Sequence, residues 1–218
     1  MYSGGFFEDN VELNLEMVRL THRPSPSLTY IPACSSHGEE DFQEFMHHYE
    51  NYEISHFHYF PVDQNHTTQE AIEALKSDII YLSGGNTFNL LHHLKKSGMI
   101  SMIKTFVKKG GVLAGLSAGA IVMTPNIETA GLPHFDRDEN EIGLRDLNSM
   151  SLVSFEIFPH YESTRRYDQE FKNYSLTLKH PLYTFEDGSG IVVQNDQIQF
   201  YGYVYAFFGG QKFKISPP

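Results

Sequence analysis

Apolar and polar positions along this chain follow two alternating periods. Short apolar, β-branched or aromatic runs, Leu28–Ala33, Tyr52–Val62, Asp78–Leu82 and Gly111–Leu116, predict strands. Between them Glu39–Tyr49, Thr68–Lys76, Thr87–Lys96 and Met99–Lys109 repeat with the helical period, and stripes such as Ile72, Leu75 and Ile79 or Phe88, Leu91 and Leu94 are expected to face the core. That order implies a largely parallel sheet with helices on both faces, a three-layer α/β/α architecture. Further on, Leu152–Phe158, Leu182–Phe185, Gly190–Val193, Gln197–Tyr201 and Val204–Phe208 read as strands with a single helix, around Arg165–Leu178, among them. The end of the chain is therefore expected to be rich in hairpins. The stretch Thr124–Ser149 is long, charged and weakly periodic, the mark of a loop that is either functional or mobile.

Composition narrows this picture. A length of 218 residues with 40% apolar content suits one domain spanning 1–218, with no repeat or Pro/Gly-rich linker to divide it. No run reaches the roughly 18 apolar residues of a membrane span, and the first residues lack a secretory pattern, so a soluble cytoplasmic protein is expected. The net charge of −11, with basic residues clustered no further than Lys108-Lys109 and Arg165-Arg166, argues against nucleic acid or an anionic membrane as partner. A small anionic substrate stays open, since one arginine can select it. The lone cysteine excludes an internal disulfide, and Cys34, after an apolar run, is read as a core residue. Oligomeric state is not readable from the helical stripes.

Chemistry concentrates at strand ends. In Val112-Leu113-Ala114-Gly115-Leu116-Ser117-Ala118-Gly119-Ala120-Ile121-Val122 an apolar strand enters a small-residue turn and then an apolar helix. This is the setting of a nucleophilic serine in Gly-x-Ser-x-Gly, and Ser117 is the candidate. It would stand at the carboxyl end of a central strand, where open α/β sheets bind ligands. Tyr81-Leu82-Ser83-Gly84-Gly85-Asn86-Thr87 is a second strand end with paired glycines. The N–H groups of Gly85 and Ala118 are the candidate oxyanion donors; the alternative is a plain turn with Asn86 or Thr87 capping the next helix. A serine needs a base. Of His134, His160 and His180, His160 in Phe158-Pro159-His160-Tyr161 follows a strand directly and is the best placed. The orienting acid is expected from Phe185-Glu186-Asp187-Gly188, as either Glu186 or Asp187.

Together, Ser83-Gly84-Gly85-Asn86-Thr87, Gly115-Leu116-Ser117-Ala118-Gly119-Ala120, Phe158-Pro159-His160-Tyr161 and the acidic turn before Ile191-Val192-Val193 resemble the serine peptidases of family S51, over roughly residues 28–195. That family includes dipeptidase E and the cyanophycinases. The resemblance implies a class I glutamine amidotransferase-like fold, Ser117 as nucleophile, His160 as general base, Gly85 and Ala118 as oxyanion donors, and Asp187 at the position of the acid. It implies no cofactor and no metal, and a short peptide, foremost Asp-X, as substrate, with isoaspartyl or cyanophycin-like linkages as the alternatives. One departure is that Tyr2-Ser3-Gly4-Gly5 stands almost at Met1, so the strand expected before that turn is nearly absent; the sheet edge there is open to question, or the N-terminus incomplete. An arginine after the catalytic histidine would read an aspartyl substrate, but neither Arg165 nor Arg166 is assigned to that task.

Rival chemistries rest on fewer features. The chain holds 12 histidines, and His47-His48, His56-Phe57-His58 and His92-His93 invite a metal, yet no His-Glu-x-x-His or matched Cys/His set accompanies them. An esterase would pair Ser117 with an acid such as Asp136 and with His160 or His180. A silent binding module would keep the scaffold without turnover.

Overall fold

The computed structural model describes residues 1–34 and 37–215. Its parallel sheet is built from β1 (Ser27–Ala33), β2 (His56–Tyr59), β3 (Ile79–Gly85) and β4 (Val112–Gly115), in the order β2-β1-β3-β4. Both faces of the central strands are covered, as parallel sheets require. Along β3 the alternation is visible residue by residue: Ile79 and Tyr81 enter one apolar cluster, Ile80 and Leu82 another. The first cluster is closed by α1 (Val11–Arg19), through Leu13 and Met17, and by α2 (Gly38–Tyr49), through Phe42, Phe45 and Tyr49. The second is closed by α3 (Thr68–Ala74), α4 (Thr87–Lys96), α5 (Met99–Lys108) and α6 (Ala118–Ile121). Three layers result, as the pattern predicts.

A second sheet joins β5 (Glu156–Phe158), β6 (Leu182–Phe185), β9 (Val204–Phe208) and β10 (Gln211–Ile215) in the order β10-β9-β6-β5, with α7 (Arg165–Ser175) packed on it. The strands β7 (Gly190–Gln194) and β8 (Gln197–Tyr201) form a separate hairpin. Its turn, Asn195-Asp196, has both residues at positive φ, 51° and 62°, as a tight primed turn requires.

The questioned sheet edge has a specific form. Tyr2 makes a parallel bridge to Leu116 and an antiparallel bridge to Gly190, so the first residues of the chain join the β7–β8 hairpin to the end of β4. Tyr2 N–H donates to the Gly115 carbonyl at 2.8 Å, and Ile191 N–H donates to the Met1 carbonyl at 2.9 Å.

Several elements differ from expectation. The strand expected over Tyr52–Val62 shortens to His56–Tyr59, because a 3₁₀ turn at Glu50–Tyr52 and a left-handed Glu53 (φ 57°) occupy its start. Ile72 is 43% exposed rather than core, since the short α3 buries Ala71 and Ala74 instead. Among the described residues no helix is long and apolar enough to cross a membrane.

Candidate active site

The turn after β4 has the shape its glycines demand. Ser117 adopts φ 51°, ψ −110°, a conformation costly for any residue with a Cβ and typical of functional sites. A Cβ on Gly115 would lie 2.4 Å from the Gly119 carbonyl oxygen, and one on Gly119 would lie 2.2 Å from that of Leu82. The two flanking glycines therefore let the turn press against β3. Ala118 opens α6, so its N–H belongs to the first turn, whose donors find no partner within the helix.

Gly85 ends the neighbouring strand at φ 142°, and a Cβ there would meet the Ala33 side chain at 2.9 Å. A Cβ on Gly84 would stand 3.6 Å from the Ser117 Cβ, which places this turn beside the serine. Asn86 caps α4 by accepting from Asn89 N–H at 3.0 Å, the capping role weighed for it.

His160, two residues beyond β5, sits at φ 54°. Its Nε2 is 2.9 Å from the Ser117 Oγ and its Nδ1 is 2.8 Å from the Asp187 Oδ1. The imidazole is 47% exposed and the Asp187 carboxylate 52%, so the pair is open to solvent on one side. Glu186, the other acid considered, turns away: its Oε1 accepts from the Tyr205 hydroxyl at 3.3 Å. The next residue, Tyr161, is fully buried and gives its hydroxyl to Asp168. Burial first, and the Asp168 carboxylate second, push its phenol pKa up, so it stays a neutral donor and fixes the backbone after His160.

The remaining candidates lie elsewhere. Asp136 accepts from the Tyr167 hydroxyl, and His180 Nε2 lies 3.0 Å from the buried Glu156 carboxylate, so the esterase pairing is not assembled. His134 Nδ1 lies 3.0 Å from the Arg137 guanidinium. Arg166 stacks on the Phe135 ring at 3.3 Å, and Arg165 is exposed at the start of α7. Cys34 is half-buried, and desolvation pushes its thiol from 9.0 up to about 12, which keeps it protonated and inert at neutral pH. Among the described residues no group of three or more His, Cys, Asp or Glu side chains is arranged to hold a metal.

The loop expected over Thr124–Ser149 is largely irregular and tethered beside the site. Asn86 Nδ2 donates to the Glu139 carbonyl at 2.9 Å, and Thr87 N–H donates to Asp138 Oδ2 at 2.7 Å. Both tethers sit at the N-terminus of α4, directly after Gly84-Gly85.

What sequence patterns missed is the N-terminal segment. Ser3 is fully buried and bonded to His160 N–H, and a side chain on Gly4 would run into both the His160 ring and the Asp187 carboxylate. The signal was present as Ser3-Gly4-Gly5, the same small-residue turn seen at Ser83-Gly84-Gly85.

A strained serine at the end of a parallel-sheet strand, brought to a histidine and a carboxylate that follow two parallel strands of the second sheet, is the construction of a serine hydrolase. The family is then given by comparison: the sequence profile of peptidase family S51 matches residues 1–201, and the chain belongs to that family. Among curated relatives, an uncharacterized peptidase of Pasteurella multocida is 35% identical over 124 residues, covering 56% of this chain and 58% of its own length. An uncharacterized peptidase of Listeria monocytogenes is 38% identical over 89 residues, 41% of this chain and 42% of that protein, so the matched stretch spans about half of these two relatives. The YgaJ peptidase of Bacillus subtilis is 29% identical over 208 residues, covering 91% of this chain and 83% of that protein. In fold, the chain is similar to the crystal structure of a peptidase from an acI-B1 Actinobacterium, with TM-score 0.74 at 17% identity over 99% of this chain and 92% of that one. A candidate peptidase E of Listeria monocytogenes aligns with TM-score 0.69 at 23% identity over 99% and 96%.

Proposed function

We propose that this chain is a serine peptidase of short peptides, with Ser117 as nucleophile, His160 as general base, Asp187 as its orienting acid, and the N–H groups of Gly85 and Ala118 as oxyanion donors. The observation that carries it is the single imidazole in contact with both Ser117 and Asp187, at 2.9 and 2.8 Å. His160 takes the Ser117 proton as Oγ attacks the scissile carbonyl. The developing oxyanion is held by donors that need not reorganise. Asp187 keeps the proton on Nδ1, so that Nε2 is the basic nitrogen. The imidazolium then protonates the leaving amine, and water, deprotonated by the same base, releases the acyl group. Every step is carried by this chain's own side chains and backbone.

Among S51 substrates, a dipeptide with N-terminal Asp is the favoured one. It follows from the family membership together with relatives named peptidase E, such as that of Shewanella putrefaciens, 34% identical over 101 residues. The tethered loop 124–149 flanks the site and suits it to short chains. Hydrolysis of a panel of Asp-X, isoaspartyl and uncharged dipeptides by the wild type and by Ser117→Ala tests the reading. Turnover of Asp-X abolished in the variant is expected. Equal turnover by both would overturn the assignment of Ser117, and turnover confined to another class would replace the substrate.

A further inference from the structure

The proposed mechanism leaves one polar group beneath the site unused. Ser3 is fully buried, and its hydroxyl makes three contacts. Its Oγ accepts from His160 N–H at 2.7 Å and donates to the Phe185 carbonyl at 2.9 Å, with Asp187 Oδ1 a second acceptor at 3.3 Å. Phe185 C=O also accepts from Tyr161 N–H at 3.1 Å, which closes a ring of contacts through the backbone on either side of His160. One hydroxyl thus ties the residue carrying the imidazole to the strand end that carries the carboxylate.

The neighbouring residue sets the height of the pair. A Cβ on Gly4 would lie 2.2 Å from His160 Cε1 and 2.5 Å from Asp187 Oδ1. The Gly4 carbonyl is itself held, accepting from Asn10 Nδ2 at 3.0 Å and from Gly188 N–H at 3.1 Å. His160 is left-handed at φ 54°, and such a residue holds its conformation only where its surroundings over-determine it.

We propose that Ser3 is a positioning residue for the His160–Asp187 pair. Its hydroxyl clamps the His160 backbone to the Asp187 turn, and Gly4 is the flat floor on which the two side chains meet. This rests on the catalytic reading of Ser117 and His160. Ser3 touches no substrate; it acts by fixing where Nε2 points, and errors of an ångström in such placement lower rates by about a hundredfold.

The test is the rate at which diisopropyl fluorophosphate labels Ser117 in the full chain. Labelling forms the Oγ–P bond, expels fluoride and passes the serine proton to His160. Ser3→Ala is expected to label about tenfold to a hundredfold more slowly. The downfield proton resonance of His160 Nδ1–H, hydrogen-bonded to Asp187, is expected to shift or vanish in the same variant. Ser3→Cys keeps the size but offers only a weak donor and acceptor, and should fall between; it also carries the test if Ser3→Ala does not fold. Wild-type labelling and an unmoved resonance in folded Ser3 variants would overturn the positioning role, as would a loss that only follows the unfolded fraction. If the wild type is not labelled at Ser117, the catalytic reading itself fails, a separate outcome.

Discussion

At the scale of single residues, absent side chains shape the site as much as present ones. Gly119 carries no Cβ because the Leu82 carbonyl oxygen occupies that space, and Ser117 can then take a backbone conformation that lifts its Oγ toward His160. Gly119→Ala is expected to force β3 and α6 apart, lowering stability by roughly 1–3 kcal/mol, as overpacking does. It should slow the labelling of Ser117 as well. Thermal melts and labelling rates check both; a variant as stable and reactive as the wild type would mean that the turn has slack. Ser117, His160 and Asp187 were readable as candidates because each closely follows a strand, and α/β folds bind ligands at the carboxyl ends of strands. The resemblance favoured Asp187 with Glu186 one residue off; in the structure Asp187 meets His160 Nδ1 and Glu186 turns to Tyr205, since adjacent residues at a turn point in different directions. Ser3 was legible only as part of a small-residue turn, not in its role. It bonds backbone groups 157 and 182 residues away, and such a role leaves no local pattern.

Among the elements, those with a clear period were found where the pattern placed them, α4 over the expected residues and β6, β8 and β9 likewise. The two that were missed have physical reasons. In α1 the apolar residues Val11, Leu13, Leu15 and Met17 alternate as in a strand, yet only Leu13 and Met17, one helical turn apart, are buried, while Val11 and Leu15 are exposed. In β10, Lys212 and Lys214 flank a half-exposed Phe213, the charged habit of a sheet edge, which hides its apolar alternation. The element that bears on function is α4, because Asn86 both caps it and holds the loop 124–149 through Glu139. Asn86→Ala should cost about 1 kcal/mol from the lost cap. It should also loosen the loop, so that longer peptides are accepted; measuring turnover against peptide length decides this. Unchanged length selection in a destabilised variant would separate the cap from the gate.

Over the whole molecule, the parallel sheet with helices on both faces followed from alternating elements, but the joint at Tyr2 did not, because a strand of one residue has no period to detect. Tyr2 is buried, donates its hydroxyl to the Leu13 carbonyl at 3.2 Å, and packs its ring on Tyr81 at 6.0 Å. Removing an aromatic side chain from such a place costs about 3–5 kcal/mol, so Tyr2→Ala should lower the denaturant midpoint by a large fraction of total stability. Amide exchange should accelerate across β7 and β8 first; uniform acceleration would show that the hairpin does not depend on this joint. The same joint carries a timetable. Residue 2 can bridge Leu116 and Gly190 only when both exist, and at synthesis rates of about 5–20 residues per second Gly190 follows Tyr2 by roughly 10–40 s. Until then the segment that becomes the β7–β8 hairpin has no attachment through Tyr2 to the end of β4, and the N-terminus waits unpaired on one side.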